Sequence, residues 1–319
     1  MRGAKLLQYL ILGAILVVVP LVVHSGYVMQ ILIMLAIYGI LVLGLEIILG
    51  QTGLFSLAQA AFYGMGAYTS ALLALRLGWP IWLATIGAMA TSALFGAAIG
   101  FPVLRLRGDY LAIATLGFGE IFQLITNNWN SLTRGPMGLP GIPRPHVFGI
   151  MFDRTMYYYM IVAIFFIALI TAFHLCRSFL GRTFRSIRDD EDAAEFMGIN
   201  ITKYKILSFV IGGIFAGLAG SLFAHYITFI SPDTFTYTDS EMLLAMVFLG
   251  GAGTVIGPVI GAVILTLLPE VFQFLVQWDM FVIGVIMVLV MIYRPQGIWT
   301  SDIRWPWSRK DPALAAQGK

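Results

Sequence analysis

The sequence predicts an all-α integral membrane protein. Hydrophobic residues fill 59% of its 319 positions and charged residues 11%, against about 25% charged in soluble domains, so too little polar surface exists to cover a globule in water. Apolar runs long enough to cross a bilayer recur from end to end, because a hydrocarbon core of about 30 Å takes roughly 20 residues of helix. Lys and Arg gather in the short segments between those runs, as they do in cytoplasmic loops. One transmembrane domain over residues 1–300 and a cytoplasmic tail over 301–319 account for the chain, with no soluble domain.

Residues 6–23 follow Arg2 and Lys5 and resemble a signal peptide. The run is long for one and no A-x-A-like cleavage site follows it, so it reads as a retained first span. Further spans are expected at 28–49, 57–75, 81–104, 110–126, 156–176, 206–226 and 271–293. The stretch 242–268 is long enough to span, yet Gly250, Gly251, Gly253, Gly257 and Pro258 interrupt it, so it reads as a broken or re-entrant element. The total is about eight full helices plus this element, or roughly eight to ten crossings. The cationic segments are the N-terminus, Arg105 with Arg107, residues 177–205 and the tail beyond Arg294. All can face the cytoplasm only if 242–268 enters from outside and returns there. Both termini are then cytoplasmic, 127–155 is an external loop and 177–205 a cytoplasmic one.

Composition also excludes function classes. A net charge of +3 without a continuous basic face argues against nucleic-acid binding. The single cysteine, Cys176, excludes an internal disulfide, and no Cys/His cluster has metal-ligand spacing. No phosphate-binding loop of the GxxxxGK[ST] type, dinucleotide fingerprint or nucleophile elbow occurs, so no catalytic residue, metal or cofactor is assigned to this chain. Any ATP would be hydrolysed on another chain, and any soluble receptor must likewise be a partner.

Several motifs place polar groups where lipid is expected. Residues 50–68 set Gln51, Thr52, Ser56 and Gln59 among small residues. Such groups need partners, which a helix end lining a cavity would supply, while close packing through pairs such as Ala60 and Gly64 is the structural alternative. Asp109 falls in the first turn of its span, where a carboxylate suits the helix dipole as a cap beside Arg105 or Arg107. Glu120 lies within the span and is expected to face a protein interior or a water-filled path. Glu46 and His225 lie near predicted boundaries, where interfacial solvation suffices. Leu49-Gly50-x-x-Gly53 recurs as Leu249-Gly250-x-x-Gly253, a possible internal repeat of the sort that brings Gly-interrupted segments together in transporters.

In the loop 177–205, residues 189–197 form an expected helix with acids in its early turns and Gly198 as C-cap. Its charged ends and exposed Phe196-Met197 pair suit docking in a groove on another protein, since the acidic run would be repelled by an anionic leaflet.

These residues carry a resemblance. Gly50-Gln-Thr-Gly-Leu-Phe-Ser-Leu-Ala-Gln-Ala-Ala-Phe62 with Gly64-Met-Gly-Ala-Tyr68 resembles one signature of the permease subunits of high-affinity branched-chain amino-acid ABC importers. Leu106-Arg-Gly-Asp-Tyr-Leu-Ala-Ile-Ala-Thr-Leu-Gly-Phe-Gly-Glu-Ile121 resembles a second, and Ile187-Arg-Asp-Asp-Glu-Asp-Ala-Ala-Glu-Phe-Met-Gly-Ile-Asn200 a third. The match runs over residues 28–295. It implies a bacterial cytoplasmic-membrane complex of two homologous permease chains, two cytoplasmic ATPases carrying Mg-ATP, and an external amino-acid-binding protein. Gln51, Thr52, Ser56, Gln59 and Glu120 are then candidates for the translocation path, expected to be a weak and mostly apolar cavity. Asp189, Asp190, Glu191, Asp192, Ala193, Ala194, Glu195, Phe196, Met197 and Gly198 are candidates for coupling to the ATPases. The chain departs from the commonest family pattern where Arg134 replaces a second glycine and Met137 replaces an Asn.

Two alternatives stay open. Related permeases of the same architecture carry urea, short amides or other amino acids. A secondary transporter or channel would instead relay ions through Glu120 and Glu46 and need no partner at 189–198.

Overall fold

The computed structural model describes residues 26–103, 106, 108–147, 150–271, 284–285, 288, 292 and 297–299. The spans expected at 6–23 and, apart from Val271 and a few single positions, at 271–293 lie outside them, as do Arg105, Arg107 and residues 301–319.

The chain folds as a helical bundle. Helix α1 (Gly26–Leu45) runs into a π-helical turn, Glu46–Gln51. After it come α2 (Gln59–Leu77), α3 (Ile81–Val103), α4 (Asp109–Asn128) and the single turn α5 (Asn130–Thr133). The second half holds α6 (Arg154–Arg177), α7 (Phe179–Asp189), α8 (Glu191–Phe196), α9 (Ile201–Ile227), α10 (Tyr237–Gly250) and α11 (Ile256–Val271). Two-residue ladders, β1 (Leu139–Pro140) with β4 (Phe229–Ile230) and β2 (His146–Val147) with β3 (Ile150–Met151), tie down the 127–155 loop. Among the described residues, four helices, Gly26–Gln51, Ile81–Phe101, Arg154–Arg177 and Ile201–Ile227, are long and apolar enough to cross a membrane. α2 and α4, also expected as spans, have similar length but a more polar composition.

The bundle is built around α9. Its small residues let three helices approach to backbone contact, the usual device where no hydrophobic force drives helices together. A Cβ at Gly213 would fall 2.5 Å from the Ser92 carbonyl of α3, one at Gly217 2.6 Å from the Ala88 carbonyl, and one at Gly44 of α1 2.9 Å from the Gly212 carbonyl. α1 is buried without a break from Gly39 to Gln51, as a helix apolar on every side must be. α6 covers its far side, where Gly39 meets the Phe165 ring.

The interrupted stretch 242–268 is a helical hairpin. α10 ends at Gly250, Gly251 and Gly253 take positive φ (116° and 93°), and α11 starts at Ile256 packed back on α10, with Gly250 against Gly257. The break lies beside α7, whereas the Glu270 carboxylate near the end of α11 accepts a hydrogen bond from the Tyr27 hydroxyl at the start of α1. Both arms therefore serve one end of the bundle, and the break reaches the other.

Candidate functional site

At the α7 end, three chain segments meet on largely buried polar groups. Glu46 Oε1 accepts from Gln51 Nε2 at 2.9 Å and from the Gly253 N–H at 2.9 Å, and Gln51 Nε2 also donates to the Gly253 carbonyl at 3.2 Å. Arg185 Nη1 donates to Gln51 Oε1 at 3.2 Å, and Arg188 Nη1 donates to the Gly50 carbonyl at 2.7 Å. The two Leu-Gly-x-x-Gly motifs thus share one polar knot. Glu46 is 1% exposed, so protein groups replace the interfacial solvation expected for it: the π-turn carries it inside, against the hairpin break.

The four path candidates near this knot are all buried in the chain's own packing. Thr52 Oγ1 donates to the Ile47 carbonyl at 2.9 Å, Gln59 Nε2 to the Leu41 carbonyl at 3.1 Å, and Ser56 Oγ accepts from the Ala58 N–H at 3.3 Å. They hold open a non-helical stretch, 52–58, inside the bundle. The free N–H groups around the start of α2 are met by Thr115 Oγ1 of α4, from Leu57, and Ser240 Oγ of α10, from Ala60, as a buried helix start requires.

Glu120 sits apart from those four. It is partly exposed on α4, whose outer positions Tyr110, Ile113, Ile121 and Leu124 form an uncovered apolar face. Asp109 begins α4 behind a Gly108 of φ +58°, and its expected partners Arg105 and Arg107 lie outside the described residues.

In the 177–205 loop, the helix expected over 189–197 divides. Asp190 is extended (φ −161°, ψ 111°) and its carboxylate accepts from the Ala193 N–H at 3.0 Å, so it caps α8 and ends α7. Short acidic side chains favour this capping role over a helix interior. Ala194 is buried and Glu191 half-buried, whereas the other candidate coupling residues are exposed, Phe196 by 92% and Met197 by 83%. Gly198 (φ +82°) turns the chain out of the helix, and Asn200 caps α9 by accepting from the Lys203 N–H.

At the opposite end, His225 is likewise 1% exposed rather than interfacial. Its Nδ1 lies 2.7 Å from the Pro143 carbonyl and its Nε2 2.9 Å from Ser70 Oγ, and Ser221 Oγ lies 2.7 Å from both Ser70 Oγ and Thr85 Oγ1. In the Nδ1–H tautomer His225 donates to Pro143 and Ser70 donates to His225 Nε2, while Ser221 bridges Ser70 and Thr85, whose own hydroxyl donates to the Ile81 carbonyl at 2.8 Å. The chain ties α2, α3 and α9 to the 127–155 loop. Beside it lies a cavity of about 180 Å³ lined by Gln30, Arg144, Arg154, Tyr157 and His225 among others.

The sequence reading passed over Arg185 and Arg188. Their signal was a three-residue spacing on one amphipathic helix, which puts both on one face.

Residues 27–291 match the family described as "Branched-chain amino acid transport system / permease component". The chain belongs to this family. Among curated relatives, the permease is 39% identical to the high-affinity branched-chain amino acid transport system permease protein LivM of Salmonella typhimurium, over 93% of this chain and 76% of the relative. It is 38% identical to LivM of Escherichia coli with the same coverage. It is 28% identical to the autoinducer 2 import system permease protein LsrC of an Enterobacter species, over 82% of this chain and 75% of that one. No solved structure matches the chain. As a family member with four helices, among the described residues, long and apolar enough to cross a membrane, the permease is a multi-pass membrane transport component rather than an enzyme.

Proposed function

We propose that this permease is one of two homologous membrane chains of an ATP-driven importer of branched-chain amino acids in a bacterial cytoplasmic membrane. The observation that carries this is the 39% identity to a LivM permease over 93% of the chain. Two cytoplasmic ATPases holding Mg-ATP supply the energy, and an external binding protein supplies affinity. A permease in such a system needs a path that opens to alternate sides, and a tight site of its own would slow release. The chain forms a single domain of about eight full spans plus the α10–α11 hairpin, with both termini and 177–205 cytoplasmic.

Residues 189–198 couple the chain to an ATPase, with Phe196 and Met197 entering a cleft on it. Their near-complete exposure beside a buried Ala194 supports this, because a large apolar pair left in water marks an interaction site. The path involves Gln51, Thr52, Ser56, Gln59 and Glu120. The uncovered face of α4 on which Glu120 lies supports a role for it against a second chain, and the other four hold the non-helical stretch that has to shift. The likeness to an autoinducer 2 permease supports a second reading of the cargo only, in which the same architecture carries another small polar solute.

The test is to co-express the chain with the transport genes beside it, purify the complex and measure ATPase activity with and without leucine-loaded binding protein. Native protein is compared with Glu195→Arg/Phe196→Asp. Stimulated hydrolysis in the native complex, and loss of the ATPases from a still-folded double variant, is the expected result. A chain that co-purifies with no ATPase and moves solute alone in liposomes overturns the reading.

A further inference from the structure

The knot at the α7 end joins the π-turn after α1 and the α10–α11 break to one short helix. α7 is anchored from below by Phe184 and Ile187, each 1% exposed, with Phe184 edge-on to Tyr204 of α9 at 6.4 Å between ring centroids. From the same helix Arg185 reaches Gln51 Oε1 and the Cys176 carbonyl, at 3.2 and 3.1 Å. Arg188, one turn on, reaches the Gly50 carbonyl at 2.7 Å and is held by Asp189 Oδ1 at 3.2 Å. Asp190 alone separates α7 from α8.

Arg188 addresses the C-terminal end of α1 through the Gly50 carbonyl, Arg185 reaches it through Gln51, and Gln51 with Glu46 carries the link to the break that follows α10. α1 ends in the π-turn that carries Gly50 and Gln51, and α10 ends at Gly250. Carbonyls there lack helical partners and carry the negative end of the helix dipole, so a cation with fixed donors suits them. Close approach is built in: a Cβ at Gly253 would lie 3.1 Å from Arg188 Nη1 and 3.8 Å from the Gly50 carbonyl. Between the two ends stands Glu46, whose Oε1 takes two donors while Oε2 has no hydrogen-bond partner among the described residues. A buried carboxylate oxygen with spare capacity lets the knot adopt a second arrangement without losing its centre, which is what a two-state link requires.

We propose that Arg185, Arg188, Gln51 and Glu46 form a clasp that transmits displacement of α8 to the breaks at Gly50–Gly53 and Gly250–Gly253, making them positioning residues for solute passage. The inference rests on the transport reading given above. The clasp draws both broken ends with α7, so that movement at α8 alters the α1 and α10–α11 breaks together.

The test is made on the whole complex in proteoliposomes, reading receptor-stimulated ATP hydrolysis and leucine uptake together. Arg188→Ala and Glu46→Gln are expected to assemble and to hydrolyse ATP at near-native rates while uptake per ATP falls about tenfold, within the range of ordinary allosteric coupling. Arg188→Lys, which keeps one charged donor for the Gly50 carbonyl, is expected to restore most of that ratio. An unchanged ratio in Arg188→Ala and Glu46→Gln overturns the clasp and leaves the transport reading standing. Parallel loss of hydrolysis and uptake, or loss of assembly in every variant including Arg185→Gln, assigns these residues a purely structural role and overturns it too. A native complex with no ATP-dependent uptake overturns the transport reading, and the clasp with it.

Discussion

Gly66 of α2 and Gly217 of α9 meet backbone to backbone: a Cβ at Gly66 would fall 2.7 Å from the Gly217 carbonyl oxygen. Gly217 also faces α3, where a Cβ would lie 2.6 Å from the Ala88 carbonyl and 2.7 Å from Ser92 Oγ. The centre of the bundle thus depends on the absence of side chains at a few positions of α9. Gly217→Val is expected to lower the melting midpoint in detergent strongly, since overpacking costs about 1–3 kcal/mol even where neighbours can give, and here the nearest neighbour is a backbone carbonyl. Gly117→Ala on α4, with nothing within 4 Å of the added carbon, is expected to leave the midpoint unchanged or raise it. Equal effects of the two would show that α9 is not packed as described.

Ser70 occupies the middle of the buried hydroxyl chain that ends on His225 and Pro143. Removing its oxygen leaves His225 Nε2 without its donor and Ser221 short of a partner, at a cost of about 1–3 kcal/mol for a buried unsatisfied group. Ser70→Ala is therefore expected to destabilise the protein far more than Thr171→Val, whose hydroxyl sits on an exposed helix face and donates to the Ile167 carbonyl of its own helix. Thermal melts of the two variants side by side check this. A silent Ser70→Ala would mean that water replaces the hydroxyl and that the chain is not a dry link.

Arg134 takes a φ of +63°, in the left-handed region that glycine occupies most readily. A side-chain-bearing residue in the left-handed region costs about 1–2 kcal/mol, partly offset by the greater freedom that glycine loses on folding. Arg134→Gly is expected to stabilise the chain by up to about 1 kcal/mol, read as a higher midpoint. A lower midpoint would mean that contacts of the Arg134 side chain beside Arg76 and Asn130 outweigh the strain.

What the sequence could say depended on the range of the forces involved. Hydropathy places six helices within a few residues, because each depends on its own apolar run and the bilayer. The break at Gly250–Gly253 was legible for the same local reason. The π-turn at Glu46–Gln51 was not, since it exists only because Gln51 and Glu46 find Gly253, some 202 and 207 residues away in sequence. His225 was likewise misplaced, its partners Ser70 and Pro143 being 155 and 82 residues distant. In the 177–205 loop, the acidic run was read as one helix start, yet the contest among Asp189, Asp190 and Asp192 for the capping position was settled by where α7 packs. The uncovered face of α4 shows the remaining gap: a single chain does not display what lies against Glu120.

Lys205 and Glu191 tie α8 to α9, with Nζ 2.6 Å from Oε1 and side-chain exposures of 4% and 24%. The burial is unequal, so the two halves of the pair are not equivalent. Glu191→Ala leaves an ammonium in a closed site without this acceptor, the situation in which removing one partner costs about 3–5 kcal/mol. Lys205→Met leaves a carboxylate that still reaches water and is expected to cost less, about 1–2 kcal/mol. The double variant Lys205→Met/Glu191→Ala is expected to be more stable than Glu191→Ala alone, because the uncompensated charge is gone. Melting midpoints of the three variants give the order directly. If Glu191→Ala and Lys205→Met cost the same and their effects simply add, the pair is solvated, and the buried Ala194 rather than the ion pair holds α8 in place.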